Sequence, residues 1–190
     1  MFNQVLTVEQ RLEKNTFKIM QHDTYESMSQ VIMIGDKTVC DKTPTACTNG
    51  RDERYGRDFC DKLTDPEFRG VIVHENKHKM YMHLTIWQHL MRINAQLANM
   101  AMDYVIDLEI VDENPPDSNG VRFAELPKGC CLDERFRGMD TQQVFNILLK
   151  ERGKKKRGEG DGDGDGSGDG RGNGSGDGGD QPLDDHDWEG

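Results

Sequence analysis

Thr64-Asp-Pro-Glu-Phe-Arg-Gly-Val-Ile-Val-His74-Glu75-Asn76-Lys77-His78 is the stretch on which the reading of this chain turns. Thr64 has the side chain of a helix N-cap, Pro66 suits a first turn, and Glu67 completes a capping box, so a helix is expected to start here. Phe68 to Val73 forms an apolar run that would bury it. His-Glu-x-x-His follows at 74–78. Residues i and i+4 of a helix lie about 40° apart, so both imidazoles leave one face and can hold a single Zn²⁺. Glu75 sits beside that face, placed to take a proton from a water polarised by the metal and to relay it to a leaving amine. The expected helix continues to about Arg92. On an unbroken helix His83 falls on the opposite side from His74. His89 falls on the right side but about 22 Å along the axis, at 1.5 Å per residue. Both therefore read as surface or core-lining histidines.

A third protein ligand must come from elsewhere. A second helix, from about Asn94 to Val111, is apolar almost all round, the mark of a buried helix. Along it runs a polar stripe at i, i+4 and i+8: Asn99, Asp103 and Asp107. A buried carboxylate is costly unless paired or bound to metal. An antiparallel arrangement would bring Asp103, the middle residue, to the imidazoles as third ligand, with Asn99 and Asp107 supporting the histidine N–H groups. The alternative is a stripe that faces water or partners the backbone and Arg92.

Charge divides the chain of 190 residues. Its formal net charge is −11, yet residues 158–190 hold eleven acids against one base and 13 of the 21 glycines, leaving residues 1–157 at −1. A near-neutral body and an acidic tail argue against nucleic-acid binding, which calls for a basic surface. No apolar run is long enough for a transmembrane helix, and the first residues lack the basic and apolar regions expected of a secretory signal. The five cysteines, an odd number without Cys-x-x-Cys spacing, suit reduced thiols in a cytoplasmic compartment. The organisation expected is a body over 1–152, a disordered Gly/Asp-rich linker over 153–181, and a terminal segment over 182–190. In that segment Leu183, His186 and Trp188 read either as a docking plug or as a solvated end. Asp161-Gly-Asp-Gly-Asp-Gly166 imitates the start of a calcium loop but lacks its closing Glu and flanking helices.

Smaller elements complete the picture. Val5 to Met20 reads as a helix, Val31–Ile34 and Thr38-Val39 as two strands around a Gly35-Asp36 turn, Asp58–Leu63 as a short helix, and Asp140–Lys150 as a final one. Pro44 to Gly50 reads as a short extended piece that ends in an Asn49-Gly50 turn.

Thr45-Ala-Cys-Thr-Asn-Gly50, Tyr55-Gly56, Leu63-Thr-Asp-Pro-Glu-Phe68, His74-Glu-x-x-His78, Ala101-Met-Asp103-Tyr-Val-Ile106 and Leu126-Pro-x-Gly129 together resemble a metallopeptidase domain of phage and bacterial proteins, the domain that in bacteria often precedes a von Willebrand A-like domain. The terminal Asp-His-Asp-Trp resembles the end of its stand-alone phage form. The resemblance implies an α+β, zincin-like fold, with a small N-terminal β-sheet packed on a mainly helical body. It also implies zinc at His74 and His78, Glu75 as catalytic acid/base, a peptide or protein substrate, and, for a phage product, the host cytoplasm. The family commonly has Asn where this chain has Asp107. A reading from another class is a non-catalytic zinc-binding or acidic-tailed interaction protein. Substrate specificity and oligomeric state are not legible.

Overall fold

The computed structural model describes residues 5–158. The chain runs α1 (Val8–Met20), a single 3-10 turn (Glu26–Met28), α2 (Ser29–Ile32), β1 (Lys37–Cys40), β2 (Ala46–Thr48), β3 (Glu53–Gly56), α3 (Arg57–Lys62), α4 (Asp65–Met80), α5 (His83–Ile86), α6 (Gln88–Glu113), a second 3-10 turn (Glu134–Phe136) and α7 (Thr141–Gly158). This is an α+β molecule with one small sheet and a mostly helical body. The strand order is β1-β3-β2, with β1 parallel and β2 antiparallel to β3. The central strand carries Glu53 and Tyr55, both buried.

Local chemistry sets the helix ends. Thr64 caps α4: its hydroxyl accepts from the Glu67 N–H while the Glu67 carboxylate accepts from Thr64. Thr7 and Gln10 repeat the device on α1. Gly70 permits a close crossing, because a Cβ there would sit 1.9 Å from the Glu125 carbonyl oxygen. Among the described residues no helix is long and apolar enough to cross a membrane.

Two hydrophobic cores share α6. One joins Val8, Leu12, Ile19, Tyr55, Phe68, Ile72, Ile106 and Ile110; the other joins Leu90, Ala98, Ala101, Tyr104, Phe136, Val144 and Phe145. A helix that serves two cores must be apolar over most of its circumference.

Three expectations are corrected. Val31–Ile34 is not a strand: Ser29–Ile32 forms a turn of helix, and the sheet begins at Lys37. The helix expected to reach Arg92 ends at Met80; Met82 adopts a left-handed conformation (φ 51°, ψ 38°) and α5 starts anew at His83. The last helix runs on to Gly158, so it takes in the first residues of the stretch read as linker. The rest of that stretch, the calcium-loop-like run and the 182–190 segment lie outside the described residues. Asn94, the expected start of the second helix, is a non-helical residue within α6, and its side chain accepts from the Leu97 N–H as an N-cap does.

Candidate metal centre

His74, Glu75 and His78 lie on α4, and every residue of that helix from Phe68 to Lys79 is buried. Charged side chains hold it in place. On the sheet side, Glu53 of β3 receives Lys79 at 2.6 Å, Lys37 at 3.0 Å and Asn76 at 3.2 Å, together with the Tyr55 hydroxyl. On the α6 side, Lys77 reaches Glu109 at 3.0 Å and Glu113 at 2.7 Å, and the Tyr81 hydroxyl donates to Glu109. Burial lowers the Lys79 pKa more than Glu53 raises it. For Lys77 burial also lowers the pKa, but the two glutamates outweigh it and the net shift is upward.

Clamped this way, α4 aims both imidazoles at α6. His74 Nε2 and His78 Nε2 are 3.1 Å apart; Asp103 Oδ1 lies 3.7 Å from the first and 3.2 Å from the second. The three form a buried His/His/Asp group with the composition of a metal site. The spacing can be tested against zinc. Donors about 2.0–2.1 Å from a tetrahedral ion lie about 3.3 Å from one another along the tetrahedron's edges. The observed edges straddle that length. Two imidazoles with one carboxylate also suit zinc better than the all-oxygen cages of calcium or magnesium.

Supporting groups surround the triad. Asp107 Oδ1 lies 2.9 Å from His74 Nδ1, the ring edge away from Asp103, while Asp107 Oδ2 accepts the Cys131 N–H at 3.0 Å. Asn99 is buried one turn before Asp103 on α6. Glu75 is fully buried beside His74. The Tyr55 hydroxyl is pushed well above its ordinary pKa by burial first, then by the charges of Glu53 and Glu75. Of the two histidines set aside from sequence, His89 is exposed, against Gln142 of α7. His83 is not remote: it is buried, and its Nδ1 lies 3.2 Å from His78 Nδ1. The helical wheel separates the pair only if the helix is continuous, and the break at Met82 removes that condition. No Gly or Pro marks the break in the sequence. All five cysteines are thiols.

His74, His78 and Asp103 together form a group that could hold a metal ion. The chain belongs to the family described as "Putative metallopeptidase domain", whose model matches residues 9–188. No curated protein and no solved structure matches it.

Proposed function

We propose that the protein is a zinc-dependent peptidase of zincin-like fold, in which His74, His78 and Asp103 hold the ion and Glu75 is the general base and acid. The observation that carries this reading is the convergence of three donor atoms from two helices, 3.1–3.7 Å apart, with a buried glutamate directly following the first of them. His74, His78 and Asp103 would hold the zinc, which when bound would supply a Lewis acid able to bring the pKa of a water towards about 7. The Glu75 carboxylate would serve as the base that takes a proton from the attacking water and as the acid that hands it to the amine nitrogen of the departing half of the peptide. Asp107 would hold His74 in the tautomer that leaves the Nε2 lone pair for the metal. The substrate is a peptide or protein.

The test is a metal assay beside a peptidase assay on an unstructured protein. Expected are one zinc per chain, loss of it in H74A, H78A and D103A, and, in E75Q, retained zinc with hydrolysis reduced by roughly 10²–10⁴. A native chain that takes up no zinc refutes the reading.

One observation favours a second reading. His74, Glu75, His78 and Asp103 are each at most 1% exposed, and a catalytic ion has to be reached by its substrate whereas a structural one does not. On that reading the ion stabilises a binding protein. Zinc retention with no hydrolysis by the native chain, and no effect of E75Q on any readout, would select it.

A further inference from the structure

The geometry points to His83 as the positioning residue for His78, through a ring-to-ring hydrogen bond that orients the metal-binding edge. This rests on the reading of His74, His78 and Asp103 as a metal site.

An imidazole has its two nitrogens on different edges. His78 turns Nε2 to His74 and Asp103, and Nδ1 to His83 Nδ1 at 3.2 Å. The His78 and His83 rings are close to perpendicular, 87° apart with centroids 5.0 Å apart, which is not a stacking arrangement. Two ring nitrogens at that distance form a hydrogen bond only if one of them carries a proton. With Nε2 of His78 committed to a cation, the proton of that neutral ring sits on Nδ1, so His78 donates and His83 Nδ1 accepts. His83 is thereby fixed as the tautomer protonated on Nε2. It cannot be a further ligand to the same ion, because it meets His78 on the ring edge away from Asp103. Asp107 does the equivalent for His74, at 2.9 Å. The two ligand imidazoles are thus supported differently: a carboxylate steers His74, a neutral ring steers His78.

Position supports the assignment. His83 reaches His78 only through the left-handed residue Met82. It also lines a cavity of about 450 Å³ with Tyr81, Trp87, Val105 and Met139, so a replacement of similar size does not have to displace a packed core.

The test uses the full chain, native and with His83→Phe or His83→Asn. Phenylalanine keeps the bulk and removes the acceptor; asparagine puts an amide oxygen close to where Nδ1 was. Zinc affinity is measured by chelator competition, the ligand field by the visible spectrum of the cobalt-substituted protein, and the His83 tautomer in the zinc-loaded native chain by ¹⁵N NMR. Expected are a 10–100-fold weaker affinity and shifted cobalt bands for His83→Phe, recovery to within a few-fold for His83→Asn, and an Nε2–H tautomer. Native affinity and spectrum in His83→Phe would overturn the inference alone. If that variant does not fold, an Nδ1–H tautomer in the native zinc form overturns it as well. A native chain that binds neither zinc nor cobalt overturns it together with the peptidase reading.

Discussion

Asp107 ties His74 to Cys131: one carboxylate oxygen meets the imidazole Nδ1 at 2.9 Å and the other accepts the Cys131 backbone N–H at 3.0 Å. A ring on α4 and a backbone amide 24 residues beyond Asp107 are therefore oriented by a single side chain on α6. Removing it should loosen both.

Asp107→Ala is expected to weaken zinc binding by roughly 10–100-fold, the usual cost of losing the group behind a metal-bound histidine. Asp107→Asn keeps an acceptor for the His74 N–H and should lose far less. Chelator competition on the two variants measures the difference; equal affinity in native and Asp107→Ala would refute the supporting role.

Glu53 is expected to be a charge on which stability depends strongly. It is fully buried and gathers Lys79, Lys37, Asn76 and the Tyr55 hydroxyl. Glu53→Ala strands two ammonium groups with little access to water, and breaking a buried pair this way costs about 3–5 kcal/mol. A urea titration should show the midpoint falling accordingly. A loss below about 1 kcal/mol would mean that the lysines find other partners.

Acid should weaken the junction between α1 and α4. Burial alone would raise the Asp65 carboxyl, but hydrogen bonds from Lys14, Asn15 and Arg11 outweigh it and hold the pKa at about 2. A depressed folded-state pKa means that the contribution is fully present above the unfolded value near 4 and is lost as pH falls towards 2. Asp65→Asn should remove about 1 kcal/mol at neutral pH and flatten the stability profile between about pH 4 and pH 2. An unchanged slope in that window would count against the linkage.

How much of this could be read from the residues alone follows from how each signal is encoded. The stripe Asn99, Asp103, Asp107 is legible because polar groups at helical spacing stand out on an otherwise apolar helix. The α4 start is legible because Thr64 and Glu67 carry their meaning locally. Val31–Ile34 is ambiguous in principle: a short run of apolar residues fits a strand or a buried helical turn equally well. The parallel pairing of β1 with β3 depends on contacts across the chain that no local pattern announces. His83 is the instructive miss. Its place beside His78 depends on the backbone sign of one methionine, and Met is not a residue whose presence signals a left-handed turn.

That single backbone reversal makes the corner between α4 and α5 length-critical. One residue more or fewer between Tyr81 and His83 would change the direction in which the second ring leaves the backbone and carry its nitrogen out of reach of its neighbour. The exposed loop at Pro115–Gly120 holds none of the triad or its supporting groups and is the better place for insertions. Anyone fusing, tagging or trimming this protein should spare the first corner and use the second.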